Sequence, residues 1–569
     1  MRERVKKILL APEAKIREAM LAIEEAPHHK PEPAPSGIAL VVAKDNTLLG
    51  VITDGDIRRA ILDKADLEEN VTSIMKKNPI TVPHGKTPEE MMHAIVREIE
   101  SRNIADHRID KVVVVDGNNK VLDVISFFEI WKNSEVKTKN VSIIGLGYVG
   151  LTLALTLTDV GFKVFGIDTD KRIIASLKRG KSHVHELGLT SLLRHHIGQN
   201  FIVDTDLLPN RSDIYIVAVN TPVERGKVVT RYLEDALRSV GRVLKLHDTV
   251  ILRSTVPVGT SRQMAVSILE RASGFSVGEE IYLAFAPERT VEGKALEELR
   301  TLPQVVGGIN KASVEIASRL FKSITNVIVP VESLEAAEMI KLINNSFRDL
   351  SFAYSNEVAQ LADKFNLNAF ELILAANNGY PRDKIPLPSP GVGGACLTKD
   401  PLIFSYSAKK VGFDIKLPLL GREINLNMID YVAERLDKFF KQNKTKGPKK
   451  VFVMGVAFKG EPETSDIRFS TAVSIVKAIE KKYQVFVYDP VVKRSEIKKA
   501  AMNYASVEDG FKGASAVLIL NNHHFWREID VYRLLSRMKK PAFFFDGWNM
   551  FSGDTIENVP KVTYGTFGK

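Results

Sequence analysis

Cysteine is almost absent from this chain of 569 residues, which contains only Cys396. A single thiol excludes an intramolecular disulfide and is typical of a reducing compartment, so we expect a cytoplasmic protein. The composition, with 44% hydrophobic and 8% aromatic residues, is that of ordinary globular domains. At roughly 150 residues a domain, the length predicts three or four domains.

The sequence also has little that would cross a membrane or bind a nucleic acid. The run 141–158 is uncharged and long enough to raise the question of a transmembrane helix, but its three glycines argue against one. The net charge is +10, yet lysine and arginine are scattered instead of clustered. We therefore expect a solvated basic surface, with neither a nucleic acid nor a membrane as partner.

An internal repeat occupies the first 130 residues. The segment 41–57 recurs without a gap as 114–130, each position shifted by 73. Two copies predict a pseudo-twofold pair of small βαββα-like units.

This α+β region resembles a cystathionine-β-synthase-type (CBS) domain pair. The resemblance implies that Thr53 and Asp56 of the first copy contact the ribose and phosphate of an adenine nucleotide. The second copy departs from this pattern, so at most one site is intact. It has Ser126 and Glu129 at those two places, and Asp123 where the first copy has Gly50. Regulation by a ligand and a purely structural or oligomerising role both stay open.

A different pattern begins near residue 140. A short apolar strand runs into Gly-x-Gly-x-x-Gly, a helical segment follows, and a second strand ends at Asp168. Strand, motif, helix, strand and terminal acid in this order strongly indicate a dinucleotide-binding unit. The motif glycines are Gly145 for the tight turn, Gly147 for close approach to the pyrophosphate and Gly150 for helix packing. A carboxylate at Asp168 favours NAD over NADP.

Later strands deliver polar residues at their carboxyl ends, where ligands bind in doubly wound sheets. Thr221 and Thr255 follow two such strands, although both also fit ordinary turns. A third strand leads into 287–293, where Glu288 and Glu292 would share a face if a helical turn begins there.

The second half of the chain contains a long helical stretch and another alternation of strands and helices. In the stretch 331–365, Lys341 and Asn345 are spaced to point the same way, while a surface salt bridge from Glu338 to Lys341 explains the lysine equally well. From Lys450 onward, strands and helices alternate and predict a second parallel sheet.

Cys396 lies in a glycine-rich turn, 389–401, that also contains Lys399 and Asp400. Most single cysteines are inert and buried. Here the glycines let backbone approach a ligand, the lysine is a cation that favours a thiolate, and the aspartate is a group that could handle protons. The context therefore indicates a reactive thiol.

Residues 140–567 resemble the UDP-glucose/GDP-mannose dehydrogenase family, which oxidises the C6 alcohol of a nucleotide sugar to a carboxylate. The motifs that carry the resemblance are 145–150, 254–257, Pro287-Glu288, Lys341 with Asn345, 391–396 with Lys399-Asp400, and 455–459. The fold implied is α/β: two Rossmann-like doubly wound domains joined by a central helical segment, preceded by the CBS pair. The domains implied are 1–133 (CBS pair, regulatory), 140–330 (NAD-binding), 331–440 (central, dimerisation and catalytic) and 448–569 (UDP-sugar-binding).

The resemblance also implies roles for individual residues. A thiolate at Cys396 would trap the intermediate aldehyde as a thiohemiacetal and then form a thioester, so that two NAD are reduced per sugar. The residues implied in catalysis are Cys396, Lys341, Asn345, Asp400, Glu288 and Thr255. Those implied in NAD binding are Gly145, Gly147, Tyr148, Val149, Gly150, Asp168, Thr221, Thr255, Glu292 and Lys399. Those implied in substrate binding are Arg289, Arg348, Arg382, Gly393, Gly394, Lys459 and Arg468.

The substrate is less well defined. Arg289 and the runs 302–308 and 345–349 are more similar to members that act on UDP-N-acetylhexosamines, so we expect UDP-N-acetyl-mannosamine or UDP-N-acetyl-glucosamine. Ala395 and Lys399 depart from that type, which keeps UDP-glucose as an alternative. The segment 460–464 lengthens the loop after Lys459 and puts the partners of the UDP phosphates in doubt.

Two rival functions stay open. A two-electron β-hydroxyacid dehydrogenase shares the Rossmann domain and the Lys-x-x-x-Asn pair but needs no cysteine. A non-catalytic adenylate sensor would use the CBS pair and keep only the dehydrogenase fold. For the enzyme we expect a homodimer or higher homo-oligomer, with no metal.

Overall fold

A computed structural model describes residues 2–26, 34, 35, 37–87, 90, 91, 94, 95, 98, 111–126, 139–224, 226–444 and 447–568. The chain forms two compact units, Met1–Lys139 and Asn140–Lys569. Among the described residues, no helix has both the length and the apolar character needed to cross a bilayer.

The first unit contains two small sheets. In the first, β1 pairs in parallel with β2, and β3 and β4 continue antiparallel; in the second, β5 is parallel and β7 antiparallel to β6. The described elements are α1 (Glu3–Lys6), β1 (Leu9–Leu10), α2 (Ile16–Glu25), β2 (Ile38–Val42), β3 (Leu48–Thr53), α3 (Asp54–Leu62), a 3-10 turn (Val71–Ser73), β4 (Lys76–Lys77), β5 (Thr81–Pro83), β6 (Lys111–Val115) and β7 (Val121–Ser126).

The sequence repeat is visible in these sheets. Strands β6 and β7 start 73 residues after β2 and β3, and both hairpins shift register at the same place, Val41/Val42 and Val114/Val115. The two copies therefore share one hairpin geometry, and the α+β pair is confirmed. Glu129 lies outside the described residues.

The second copy differs from the first where Asp123 replaces Gly50. A Cβ at Gly50 would lie 2.8 Å from the Lys76 carbonyl oxygen, so a side chain does not fit there. Asp123 instead accepts hydrogen bonds from Arg4 at 3.1 and 3.2 Å, which ties α1 to β7. The substitution thus has a structural role in the second copy.

The second unit begins with an eight-stranded sheet in the order β10-β9-β8-β11-β14-β15-β16-β17. The first six strands are parallel in the 3-2-1-4-5-6 order of a Rossmann fold, and β16 joins β15 antiparallel. The elements are β8 (Val141–Ile144), α4 (Tyr148–Asp159), β9 (Val164–Ile167), α5 (Lys171–Lys178), α6 (Leu189–His196), β10 (Phe201–Asp204), β11 (Ile214–Val217), β12 (Val223–Glu224), β13 (Lys227–Val228), α7 (Arg231–Gly241), β14 (Thr249–Leu252), a π-helix (Ser261–Ala265), α8 (Val266–Ser273), β15 (Tyr282–Phe285), α9 (Ala295–Thr301), β16 (Gln304–Gly308), α10 (Lys311–Lys322) and β17 (Ile328–Pro330).

Four helices connect this sheet to the next one. They are α11 (Leu334–Lys364), α12 (Ala369–Asn377), α13 (Asp400–Lys410) and α14 (Leu417–Gln442). Ser333 caps α11 by accepting from the Ala336 amide at 3.1 Å, which explains why the helix starts three residues later than the predicted stretch. Helix α11 packs against both α14 and α13, so it lies at the centre of this helical segment.

A five-stranded parallel sheet closes the chain, in the order β19-β18-β20-β21-β22. Apolar clusters cover both of its faces, as the doubly wound prediction requires. The elements are β18 (Lys450–Met454), α15 (Thr471–Ile479), β19 (Gln484–Tyr488), α16 (Arg494–Lys499), α17 (Val507–Phe511), β20 (Ala516–Ile519), a 3-10 turn (His524–Arg527), α18 (Val531–Leu535), β21 (Ala542–Asp546), α19 (Gly553–Glu557) and β22 (Val562–Gly565).

Candidate active site

The glycine turn after β8 is shaped to hold a pyrophosphate. Gly145 has φ +93°, and a Cβ there would lie 2.7 Å from the Ala218 carbonyl oxygen. At Gly150 a Cβ would lie 1.8 Å from the Gly145 carbonyl oxygen, so only glycine lets α4 start this close to the strand. Nothing lies within 4 Å of the position that a Cβ at Gly147 would take. The turn is therefore open beside Gly147 and the first helical amides, those of Tyr148 and Val149, as a dinucleotide requires.

Asp168 stabilises this turn. Its carboxylate accepts the backbone N–H of Leu146 and of Asp170, both at 2.9 Å. The side chain is half-buried at the end of β9, where it was predicted to meet the adenosine ribose. These contacts orient the carboxylate at the mouth of the turn.

The hydroxyl of Tyr148 connects the turn to the loop 287–293. It donates to the carboxylate of Glu186 and accepts from the Gly293 amide at 3.1 Å. Burial and the Glu186 carboxylate raise the pKa of Tyr148, so it stays a phenol. The sequence predicted a cofactor contact here but gave no sign of this bridge.

Two strand ends meet the cysteine turn through Thr221. Its hydroxyl donates to the Thr255 carbonyl oxygen at 2.5 Å and lies 3.3 Å from Lys399 Nζ. Lys399 therefore reaches from the cysteine turn to the NAD-binding sheet, which places three predicted residues together.

The loop 287–293 is not helical, so the condition under which Glu288 and Glu292 would share a helical face is not met. Backbone amides of Arg289 and Thr290 fold back onto Glu288 Oε1 at 2.7 and 2.8 Å, which gives the segment an irregular turn instead. Glu288 Oε2 accepts from Arg253 at 2.6 Å. Burial would raise the pKa of Glu288, but Arg253 and the amides outweigh it and the pKa is lowered. Arg253 and these amides thus hold Glu288 as a carboxylate in a fixed position.

Glu292 lies where this loop meets the last domain. Its carbonyl oxygen accepts from Lys459 Nζ at 2.5 Å, and its carboxylate accepts from Thr464 at 3.2 Å. Burial, followed by the nearby Asp466, raises the pKa of Glu292. Burial also lowers the pKa of Lys459 to about 8. Both groups therefore titrate closer to neutrality than they do in water.

The cysteine turn packs against the segment 458–471. A Cβ at Gly393 would lie 2.6 Å from the Phe469 carbonyl oxygen, and one at Gly394 would lie 2.8 Å from the Phe458 ring. The Cys396 carbonyl oxygen accepts from the Asp400 amide at 2.9 Å, immediately before α13. Close backbone packing on both sides fixes the position of the thiol.

The charges that act on Cys396 include Lys341, in addition to the Lys399 and Asp400 that the sequence placed beside it. Cys396 is exposed, yet desolvation by the surrounding protein raises the pKa of its thiol. Lys341 opposes this rise most strongly, Asp400 adds to it, and Lys399 opposes it less. The predicted effect of Lys399 therefore has the right sign, since its charge lowers the pKa of the thiol, but desolvation outweighs both lysines and the pKa is raised overall.

Asn345 and Asp400 are hydrogen-bonded to each other beside these lysines. The Asn345 amide donates to Asp400 Oδ2 at 2.6 Å. Asp400 Oδ1 is buried without a hydrogen bond among the described residues, and Lys399 Nζ lies 3.6 Å away. An oxygen with unused acceptor capacity at this position can bind a water or a substrate hydroxyl. The alternative of a surface salt bridge from Glu338 to Lys341 is wrong, because Glu338 is buried and accepts backbone amides instead.

The arginines predicted to bind substrate occupy different places. The charge of Arg348 lowers the pKa of Lys459, and Arg468 lies within electrostatic reach of Cys396 and Glu292. Arg289 donates to the Pro303 carbonyl oxygen at 3.3 Å. Arg382 bonds to the Tyr380 hydroxyl at 2.7 Å, and no described contact joins it to the other residues.

One charged group that the sequence did not suggest links the two sheets. Glu463, in the lengthened loop, lies 3.1 Å from His185 Nε2 and 3.3 Å from His523 Nε2, with His524 close by. His523 Nδ1 accepts from the Phe525 amide, so the neutral ring has its proton on Nε2, facing the carboxylate. The hydrogen bond from His185 to Glu463 connects the two sheets, while His523 Nε2 lies close to the carboxylate without a hydrogen bond among the described residues. Only the length of the loop hinted at this connection.

Comparison with known proteins covers both units. Three family models of UDP-glucose/GDP-mannose dehydrogenases match, for the NAD binding domain (139–325), the central domain (335–427) and the UDP binding domain (452–553). The CBS domain model matches 3–63 and 71–130.

Curated relatives are similar over most of their length. UDP-N-acetyl-D-mannosamine dehydrogenase of Campylobacter jejuni is 34% identical over 409 residues, 70% of this chain and 98% of its own. The Pyrococcus horikoshii enzyme of the same name is 31% identical over 414 residues, 72% and 95%. An NDP-N-acetyl-D-galactosaminuronic acid dehydrogenase of Ralstonia solanacearum is 30% identical over 413 residues, 71% and 95%.

Solved structures agree with these relatives. The UDP-D-ManNAc dehydrogenase of P. horikoshii has a TM-score of 0.68 and 30% identity, covering 75% of this chain and 99% of that one. The UDP-N-acetyl-mannosamine dehydrogenase of Staphylococcus aureus has a TM-score of 0.65 and 30% identity, covering 76% and 98%. The fold assignment thus rests on both sequence and structure.

Proposed function

The chain belongs to the UDP-glucose/GDP-mannose dehydrogenase family, and from that premise we propose that it oxidises a UDP-N-acetylhexosamine to its uronate through a thioester on Cys396. The observation that carries the proposal is the meeting of Cys396 with Lys341 and the Asn345–Asp400 pair. NAD-dependent oxidation of a nucleotide sugar is the activity of the family, so the proposal concerns the sugar and the residues.

The chemistry needs four electrons removed in two steps. When bound, NAD accepts the hydride in each step. The free space beside Gly147, which a Cβ would occupy, fits the pyrophosphate of this cofactor. The Asp168 carboxylate, held by the Leu146 amide at the same turn, fits its ribose. The remaining tasks fall to the residues around the cysteine turn: to bind the C6 oxygen, hold the aldehyde and supply water.

Cys396 retains the intermediate. Its sulfur adds to the aldehyde carbon as the thiol proton leaves, giving a thiohemiacetal whose oxidation leaves a thioester; water then cleaves the carbon–sulfur bond, releasing the carboxylate and restoring the thiol. Because desolvation raises the thiol pKa, the charge of Lys341 is needed to favour the thiolate. Lys341 would also stabilise the negative charge that develops on oxygen.

The Asn345–Asp400 pair is suited to the hydrolytic water. Asp400 Oδ2 is held by the Asn345 amide, while Oδ1 is buried with unused acceptor capacity. A water bound there would lie beside the thioester, and Asp400 would accept its proton. Thr255, Glu288 and Glu292 would position the adjoining loops and the nicotinamide.

An acetamido sugar is favoured over glucose by two observations. The first two curated relatives quoted above carry the name UDP-N-acetyl-D-mannosamine dehydrogenase. Arg289 and the run 302–308, which indicated this substrate type, are in contact through the Pro303 carbonyl oxygen and so form one surface. Ala395 and Lys399 still depart from that type, and UDP-glucose stays the alternative.

The nucleotide would bind at the last domain. Lys459 and Arg468 put positive charge near Glu292, Arg348 adds charge near Lys459, and the backbone at Gly393 and Gly394 lies against the segment 458–471. Cations and exposed backbone suit a diphosphate and a sugar. Arg382 is remote from this group in the described contacts and is the weakest of the predicted substrate residues.

A homodimer built on α11 is the proposed assembly. Ile343, Phe347, Tyr354 and Leu361 lie on one face of this helix and are 46–66% exposed. An apolar face of this length is typical of a subunit interface. We place the enzyme in the cytoplasm because its only thiol must stay reduced to react.

Adenine-nucleotide control at the first unit stays a prediction. Asp56 is buried, and its carboxylate already accepts from Thr53 at 2.6 Å and from Arg59 at 2.6 Å. A ribose would have to replace the Arg59 contact. Unchanged kinetics and thermal stability with AMP, ATP and S-adenosylmethionine would remove this part of the proposal.

The substrate is tested by following NADH with UDP-ManNAc, UDP-GlcNAc and UDP-glucose side by side. We expect the highest kcat/KM with an acetamido sugar. A higher value with UDP-glucose would overturn the substrate assignment, and no NADH with any sugar would favour the non-catalytic adenylate sensor.

A further inference from the structure

Glu338 is a buried carboxylate that the proposed chemistry does not use. It lies on α11 three residues before Lys341 and is 1% exposed. Its two oxygens accept the backbone N–H of Gly259 at 2.6 Å and of Ser261 at 2.8 Å. Gly259 lies in the turn that follows Thr255 and Ser261 begins the π-helix after it, so the contact joins the NAD-binding sheet to the catalytic helix.

The same turn is held at a second point. The Val258 amide donates to the Ser407 hydroxyl, on α13, at 3.0 Å. Helix α13 begins at Asp400. The four residues 258–261, here called the clamp loop, are therefore bound to both helices that carry the catalytic side chains.

The ionised form of Glu338 lowers the free energy of unfolding. Desolvation raises its pKa to about 7, against the hydrogen bonds from Ser261 and Gly259, and Glu335 adds to the rise. Arg262, the facing cation of the π-helix, is paired with Glu335 at 2.7 Å. Because the native state holds the proton more tightly than the unfolded chain, ionising Glu338 lowers stability as pH rises from about 4.5 to about 7. A buried charge that lowers stability is more readily explained by function than by folding.

We propose that Glu338 is a positioning residue whose carboxylate holds the clamp loop, and with it Thr255, in register with Lys341 and Asn345. The inference rests on the proposed function, since it assigns the geometry of that site. Lys341 and Asn345 follow Glu338 by three and seven residues on one helix, so a shift of the clamp loop changes the distance between cofactor and thiol.

Glu338→Gln tests the proposal. The amide has one oxygen to accept with, and its NH₂ faces a backbone donor, so the clamp loop loses a contact. We expect kcat to fall about 10- to 100-fold, as for a misplaced catalytic group, with KM for the nucleotide sugar changed less than about twofold. Thermal unfolding at pH 8 should occur at the native temperature or above it, because a buried charge is removed.

Two further variants serve as controls. Glu335→Gln removes a half-exposed charge one turn away and should leave kcat within about twofold of native, because Glu335 pairs with the side chain of Arg262 and not with the backbone amides of Gly259 and Ser261. Glu338→Asp keeps the charge on a shorter side chain and should recover part of the lost rate. Equal losses in Glu335→Gln and Glu338→Gln would overturn the proposal.

The pH dependence gives the discriminating result. In the native enzyme kcat should rise through pH 7 as Glu338 ionises, and Glu338→Gln should lack that limb. A native limb that survives in the variant, or a variant that loses stability at pH 8 in proportion to its rate, would assign Glu338 a purely structural role.

Hydrogen exchange tests the clamp without an activity assay. Peptides that cover 256–264 should exchange faster in Glu338→Gln than in the native protein at pH 8, because the variant loses a contact to the clamp loop, while peptides from β14 should exchange alike in the two proteins. Equal exchange of 256–264 in both proteins would refute the clamp even in an active enzyme. If no nucleotide sugar produced NADH, the proposed function would fail while the exchange result still decided the clamp.

Discussion

The two sheets of the second unit place an aspartate in the same position but use the neighbouring turn differently. In the first sheet, Asp168 ends β9 and accepts the Leu146 amide of the turn after β8. In the second, Asp489 follows β19 and accepts the Val456 and Ala457 amides of the turn after β18. The same contact, an aspartate after one strand that accepts amides of the turn after its neighbour, thus occurs twice, about 320 residues apart. It follows from the parallel pairing of the two strands in each sheet.

The turns themselves differ in what fills them. The first glycine of each turn is crowded: a Cβ would lie 2.7 Å from the Ala218 carbonyl oxygen at Gly145 and 2.3 Å from the Asn521 side chain at Gly455. Two residues further on, the first turn has open space beside Gly147, whereas the second has the buried Ala457 and is closed there. The second turn instead leads to Lys459, which reaches the carbonyl oxygen of Glu292 in the first domain. The first turn is the proposed cofactor turn, and the second supplies a cation to the proposed active site.

The largest effect is expected from the buried ion pair of the first domain. Arg253 is fully buried against Glu288 and Gln304, so Arg253→Met should lower the free energy of unfolding by about 3–5 kcal/mol, because Glu288 is left uncompensated. In the second domain, Arg468 is 64% exposed in its pair with Asp466. Arg468→Met should cost no more than about 1 kcal/mol. Urea denaturation of the full chain measures both, and similar losses would contradict the contrast.

The next effect concerns the open turn. Gly147→Ala should leave the melting temperature unchanged, because nothing contacts the new methyl group. It should raise KM for NAD about tenfold, equivalent to about 1.4 kcal/mol, because the methyl occupies space for the pyrophosphate. Gly117→Ala, also in open space but in the first unit, is the matched control and should change neither quantity. Unaltered KM in Gly147→Ala would mean that NAD binds elsewhere.

The smallest effect concerns the cation of the closed turn. Burial lowers the pKa of Lys459 to about 8, so the free enzyme should lose this charge above pH 8 and kcat/KM for the nucleotide sugar should fall several-fold by pH 9. Lys459→Arg keeps its charge over that range and should lack the fall, whatever its absolute rate. Identical alkaline limbs in the two proteins would assign the titration to another group.

Local patterns predicted the fold and the first turn because their information lies within a few residues. The spacing of Gly145, Gly147 and Gly150 defines a turn by itself, and the repeat of 73 residues fixed two hairpins. Contacts between distant residues were not accessible in this way. Arg253 pairs with Glu288 across 35 residues, and Lys459 meets Glu292 across 167.

The electrostatics of the thiol show the same limit. Lys399 is three residues from Cys396, so the sequence alone places its charge near the thiol. Lys341, which lowers the pKa of the thiol more, is brought near by α11. Burial is a property of the packed chain, and its effect on the thiol pKa could not be read from neighbours in the sequence. The segment 287–293 forms an irregular turn instead of a helical one for a related reason, since Glu288 and Arg253 hold that loop by tertiary contacts.

The central claim is that Cys396 retains a half-oxidised sugar between two oxidations. The direct test is the amount of NADH formed per nucleotide sugar consumed, measured with product analysis for the native enzyme and for Cys396→Ser. The account predicts two NADH and a uronate for the native enzyme, and no uronate from the variant. One NADH per sugar, together with a serine variant of native activity, would contradict it and identify a two-electron dehydrogenase.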